Sequence, residues 1–170
     1  MQSLLHFCGC KRTYGMKMFY MNYTSGHTHN FTAFNYNYYN VDNKATVYVE
    51  VILRDAFPYF TARIKLDMLR ADNTKINLLN TTQSGCQMIE AAYSKNRLLQ
   101  ILSKEIRRVS TFPKKCPLHA NTSYYVKNYT IDPDLFPSFL PPLHWVIRTQ
   151  FFKGNIYYGY MILYGSIYKL

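Results

Sequence analysis

A chain of 170 residues with 20 Lys and Arg against 9 Asp and Glu, 48% hydrophobic and 17% charged residues, is too apolar to be disordered despite its net charge of +11. The richest apolar stretch, 156–167, is short and broken by Gly159 and Gly165, far from the ~20 consecutive apolar residues of a membrane helix. The numbers describe one folded, basic, tyrosine-rich domain and exclude a membrane-spanning helix.

Taken in chain order, the first ten residues hold Leu4, Leu5 and Phe7 but no basic start and no apolar run of roughly 7 to 15 residues, so a complete signal peptide is not read there. Residues 1–15 are set aside as an uncertain amino-terminal segment, and 16–170 are expected to form a single domain. Cys8 and Cys10 stand beside His6, but a closed metal site needs four ligands and only three are local. Strand candidates follow at 17–23 and 31–39. Between them His27 and His29 share one face of the chain, as zinc ligands can, yet they lie among turn residues beside a glycosylation sequon; no metal and no cofactor is expected.

The clearest period-two alternation begins at Ala45, where Val47, Val49, Val51 and Leu53 point one way and Thr46, Tyr48, Glu50 and Arg54 the other. Phe60, Ile64, Leu66 and Met68 continue on one face, opposite Tyr59, Arg63 and Lys65, and a further strand is expected at 75–81. The helical period appears once. Leu98, Leu99, Leu102, Ile106 and Val109 form an apolar stripe, with Arg97, Lys104 and Arg108 on the other side. One basic concentration lies here: Lys95, Arg97, Lys104, Arg107, Arg108, Lys114 and Lys115 face only Glu90 and Glu105, a pattern that suits a solvated face or a contact with an anion or partner.

Four cysteines allow three pairings, and Cys86 with Cys116 is the preferred one. A continuous helix over 87–109 would run about 34 Å, whereas the few residues back to Cys116 span only about 20 to 24 Å. The bridge therefore calls for a shorter helix, from 95 to about 108, with Ser94 as its N-cap. After a strand at 123–131, Pro133, Pro137, Pro141 and Pro142 read as a rigid extended crossover, followed by closing strands at 145–152 and 156–168. Eight short strands and one helix indicate an all-β sandwich or barrel.

Compartment is indicated by five sequons, at Asn22, Asn30, Asn80, Asn121 and Asn128, where 13 Asn and 22 Ser plus Thr give about 1.7 by chance. The excess and the cysteines favour the secretory route and an extracellular, glycosylated protein whose leader is not part of this sequence. No catalytic constellation accompanies them. Asp132 and Asp134 bracket a proline and read as a turn, His119 and His144 sit beside prolines, and no phosphate loop, GxSxG elbow or HExxH helix is present. Cys86 and Cys116 are nucleophiles only if reduced. Tyrosines interleaved with basic residues suit nucleic acid in principle, but no zinc-finger, helix-turn-helix or RNP-like pattern accompanies them.

Leu79, Asn80, Thr81 and Thr82, then 85–90, then Arg97, Leu98 and Leu99, then 112–118 with its Cys116-Pro117, then Tyr124, Tyr125, Val126, Asn128, Pro137, Leu140 and Pro141 together resemble a large insect family of small secreted proteins of unknown function. That family is distantly related to ML lipid-recognition domains, and the resemblance runs from about Ala45 to Leu170. It implies an immunoglobulin-like antiparallel β-sandwich holding a lipid or other apolar ligand between its sheets, and a role in contact chemosensation or pheromone response. The closely spaced Cys8 and Cys10 depart from the family pattern, so its amino-terminal bridge is not carried over.

Inward faces would line such a slot, with Val49, Val51, Leu53, Phe60, Ile64, Trp145, Ile147, Phe151, Met161 and Leu163 as candidate ligand-binding residues; each also reads as ordinary core. The expected function is non-catalytic binding of a hydrophobic small molecule, with the basic helix meeting an anionic head group or a receptor. The alternative is an extracellular interaction module with a solid core that engages a cell-surface receptor through its basic surface.

Overall fold

Period-two alternation becomes eight antiparallel strands among the described residues: β1 (Tyr14–Ser25), β2 (Phe31–Val41), β3 (Lys44–Leu53), β4 (Thr61–Leu69), β5 (Lys75–Ser84), β6 (Ser123–Ile131), β7 (Leu143–Lys153) and β8 (Ile156–Lys169). The computed structural model describes residues 14–26, 31–70, 72, 74–90, 97–133 and 141–170. The expected strands are all present, several of them longer at their ends. Two helices lie between β5 and β6, α1 (Gly85–Glu90) and α2 (Arg97–Arg108). The sequence led us to expect only one. At six residues, α1 is too short to display a 3.6-residue period, which is why it escaped the pattern. The cap expected at Ser94 lies outside the described residues.

The strands form a five-stranded sheet in the order β1-β8-β7-β4-β5 and a three-stranded sheet in the order β2-β3-β6. Their inner faces pack together as a sandwich. Tight turns set the hairpins: Asp42 and Asn43 both adopt positive φ (49° and 61°), the type I′ geometry that matches strand twist, and Gly154 at φ 58° opens the turn from β7 to β8. The connection from β6 to β7 changes sheets, as the proline-rich stretch led us to expect, though 134–140 lie outside the described residues.

Five register shifts interrupt the alternation, one each in the β1/β8, β2/β3, β3/β6, β4/β5 and β7/β8 pairings. Each inserts one residue into a strand and exchanges its inward and outward sets beyond that point. In β1 the extra residue is Phe19, so Met16 and Met18 face inward before it and Met21 after it. In β6 the register steps from Val126 opposite Val49 to Tyr129 opposite Val47, with Asn128 at φ 53°. Without that insertion Asn128 and Thr130 would face the core. With it, Tyr129 and Ile131 do.

The five-stranded sheet is two strands wider than its partner, so about 10 Å of its inner face is not covered by strands. Helices fill this place. Met88 of α1, Ile106 of α2 and Val109 just beyond it pack against the core. Cys86 and Cys116 are disulfide-bonded, with their Cα atoms 5.6 Å apart, which ties α1 to the segment entering β6.

Candidate functional site

Alternation along β3, β4, β7 and β8 puts the candidate ligand-binding residues on inner faces, with Phe60 packed inward just before β4, but in two different neighbourhoods. Ile64, Trp145 and Leu163 are buried in a large cluster with Met16, Met18, Met21, Leu66, Met68, Tyr129 and Ile167, and Val49, Ile147 and Met161 pack against it. Leu53 is buried in a smaller cluster with Phe57, Leu118, Tyr124 and Tyr158, against which Val51 and Phe60 pack. Phe151 touches both. The first half of the interior is methionine-rich and adaptable in shape. The second is aromatic: Tyr158 meets Phe57 edge-on with centroids 4.8 Å apart, and Phe112 stacks on Tyr124 at 5.5 Å.

Sequence reasoning missed Met16, Met18, Met21 and Tyr129. The three methionines straddle the bulge at Phe19, and Tyr129 follows the one at Asn128. An asparagine in the middle of an otherwise alternating strand was the available signal for the second.

Two polar atoms stand out in this interior. Tyr129 Oη and Trp145 Nε1 are buried and have no hydrogen-bond partner among the described residues, although their side chains are only 8% and 3% exposed. Burial pushes the Tyr129 phenol up to about 12, and the negative charges of Glu105 and Asp132 push in the same direction. The hydroxyl is therefore neutral at all physiological pH. The Trp145 indole lies across Gly165 of β8, where a Cβ would collide with the ring and with the Lys17 carbonyl. Most buried polar groups are paired, so two unpaired ones in a single apolar cluster need an explanation.

The two long sides of the sandwich are built differently. On the β1 side the sheets are joined by directional bonds: Asn40 accepts from Met18 N (2.8 Å) and donates to Met18 O (2.9 Å), Met16 N donates to Asn43 O (2.8 Å), and Tyr38 Oη donates to Phe19 O (2.6 Å). On the opposite side β5 and β6 are bridged by α1, α2 and the disulfide.

Outside, the basic surface is thinner than the sequence indicated. Lys104, Lys114 and Lys115 are exposed, and Arg108 is exposed but paired with Glu105 at 3.1 Å. Arg107 turns back to donate to the Glu90 carbonyl at the end of α1 (2.7 Å), so it serves the helix pair instead of the surface. Lys95 and the side chain of Arg97 are outside the described residues. Asn80, Asn121 and Asn128 are exposed, whereas Asn22 is half-buried and accepts from Tyr36 Oη; Asn30 is outside the described residues, as are Cys8, Cys10, His27 and His29. On the outer face of the five-stranded sheet, Asp67 is fully buried and accepts from Arg148 Nη1 (2.7 Å), Asn77 Nδ2 (2.8 Å) and Lys75 Nζ (3.1 Å).

Residues 63–147, half of the chain, match the family described as Protein of unknown function (DUF1091). The chain belongs to the DUF1091 family. No curated protein matches it. The matched DUF1091 segment runs from β4 into β7, and it contains both helices, the disulfide, Tyr129 and Trp145. The amino-terminal strands β1, β2 and β3 and the closing strand β8 lie outside it. No helix among the described residues of this DUF1091 protein is long and apolar enough to cross a membrane, and its disulfide is compatible with an extracellular protein.

Proposed function

We propose that this DUF1091 protein binds a lipid or other hydrophobic small molecule between its two sheets, in the extracellular space and without catalysis. The observation that carries the reading is the asymmetry of the sandwich: hydrogen bonds between the sheets hold the β1 side, while helices cover the other side and pack on an apolar interior. A side joined only through helices, by packing, one disulfide and the Arg107 hydrogen bond to the Glu90 carbonyl, can part to admit an alkyl chain at lower cost than a side whose strands are bonded to each other directly. Each buried methylene contributes about 0.8 kcal/mol, so affinity can come from shape without a polar motif. The resemblance to an insect family distantly related to ML lipid-recognition domains adds the same ligand class and a chemosensory setting, and the exposed sequons at Asn80, Asn121 and Asn128 favour the secretory route.

The test is to express the chain with a supplied leader, extract it with organic solvent and examine the extract by mass spectrometry. A reproducible apolar molecule, or saturable uptake of the neutral fluorophore N-phenyl-1-naphthylamine, is expected. A protein that is clean and takes up no probe refutes the reading.

A second reading, an interaction module with a solid core, draws on the exposed aromatic group of Phe19 packed against Tyr164 and His144 on the outer face of the wide sheet. Truncating Ile147 to Ala separates the two. A solid core loses about 2 to 5 kcal/mol of stability with no effect on probe, whereas a lined slot changes probe uptake with a smaller loss.

A further inference from the structure

Tyr129 and Trp145 sit on opposing sheets, in rows that the hydrogen bonds of the β1 side bring next to each other. Tyr129 pairs with Val47, and Val47 with Tyr38; on the other sheet Trp145 pairs with Gly165, and Gly165 with Met18. The two rows are locked together where Tyr38 Oη donates to the Phe19 carbonyl and Asn40 grips the backbone of Met18. Both side chains belong to one buried cluster, each is more than nine-tenths buried, and each carries a polar atom with no partner among the described residues. Leaving such an atom unpaired costs roughly 1–3 kcal/mol, so two of them on facing inner walls mark a place where a hydrogen-bonding atom belongs.

We propose that the ligand carries a neutral oxygen, an alcohol, ketone, aldehyde or ester, which sits between Tyr129 Oη and Trp145 Nε1 and is held by both. The inference rests on the ligand-binding reading above and specifies its ligand class. The indole N–H only donates, so its partner must be an acceptor; the phenol can donate or accept, which suits either a carbonyl or a hydroxyl oxygen. A carboxylate does not fit. The acids nearest in effect to Tyr129 are Glu105 and Asp132, which disfavour a second negative charge there, and a buried anion needs a cation beside it. A plain alkane fits the walls but leaves both polar atoms unpaired.

The test uses the full chain and displacement of N-phenyl-1-naphthylamine by three ligands of equal length: dodecane, dodecan-1-ol and dodecanoate at neutral pH. Dodecanol is expected to bind at least about tenfold more tightly than either of the others, the ratio that one or two satisfied hydrogen bonds supply. Tyr129→Phe deletes only an unpaired hydroxyl, so the variant folds. It is expected to cut the preference for dodecanol over dodecane by about fivefold while leaving dodecane affinity unchanged, and Trp145→Phe is expected to cut the same ratio. Equal affinities for dodecanol and dodecane, unaltered by Tyr129→Phe, overturn this inference and leave the binding reading standing. Tighter binding of dodecanoate than of dodecanol also overturns it. Failure of the probe itself to bind defeats the binding reading, and this inference with it.

Discussion

The clasp on the β1 side and the helix cover on the β5 side close the same sandwich by different physics. The clasp uses hydrogen bonds, which are short, directional and expensive to leave half-made, so it fixes the separation of the sheets to within a bond length. The helix cover joins the sheets indirectly: backbone bonds tie the residues after α2 to β6, and α2 meets α1 through the non-directional contacts of Met88, Ile106 and Val109 with the core, one hydrogen bond from Arg107 to the Glu90 carbonyl and one covalent tether between Cys86 and Cys116. A rigid spine and an adjustable flank follow from this difference. In the proposed reading the spine sets the spacing between the walls that carry Tyr129 and Trp145, and the flank is the way in.

Cutting the tether is the harshest way to break the contrast. The bridge closes a loop across a sequence separation of 30 residues, which in the loop-entropy account stabilises the fold by about 3–4 kcal/mol. The Cys86→Ser, Cys116→Ser double variant is therefore expected to lose that much in denaturant titration, and to release a bound neutral probe faster. Loss of stability with an unchanged release rate would show that the helices are not the entry side. Asn40→Ala attacks the spine instead. It strips two bonds from the backbone of Met18 in a part-buried place, with an expected loss of about 2 kcal/mol. Because the spine is not the proposed entry, its release rate measured below the unfolding transition is expected to stay within twofold of wild type; a larger acceleration contradicts the assignment of the two sides.

The same contrast accounts for what the sequence disclosed. All eight strands were legible because alternation survives within each segment between bulges, and the preferred Cys86–Cys116 pairing is present, with the shorter helix it called for ending at Arg108. The inward positions of Val49, Ile64, Trp145 and Leu163 were read correctly for the same reason, since each lies in an uninterrupted stretch. What failed lies at interruptions. Tyr129 was hidden by the residue inserted beside Asn128, and Met16, Met18 and Met21 by the one at Phe19, since a single insertion exchanges the faces of a strand without altering its composition. The helix α1 was hidden by its length, and Arg107 was counted as surface charge because nothing in the sequence says that its guanidinium folds back onto the Glu90 carbonyl. The clasp was invisible for a deeper reason: it joins β1 to the β2–β3 hairpin across two sheets, and sequence periodicity carries no information about which sheet faces which.

Acid offers a gentler probe of the flank through Asp67. β5, which leads directly into α1, is held to β4 beside the irregularity at Leu78 by the Asp67 carboxylate, with Asn77, Lys75 and Arg148 around it. Burial pushes the Asp67 carboxyl up, but hydrogen bonds from Asn77 and Lys75 and the charges of Lys65 and Lys75 outweigh it and hold the group below the ordinary carboxylate range. Its native value being lower than its unfolded one, the stabilisation is complete above the ordinary carboxylate range and is lost as pH falls through the native value. The clasp is made of amides, one phenol and backbone groups and contains no carboxylate. Lowering the pH is therefore expected to speed amide exchange in β5 and α1 before it does so in β1. Asp67→Asn should remove that selective acid response and cost about 1–3 kcal/mol at neutral pH, the lower part of the range if the half-exposed Lys75 regains water. Exchange that accelerates uniformly on both sides, or an acid response that survives Asp67→Asn, would place the soft flank of the sandwich elsewhere.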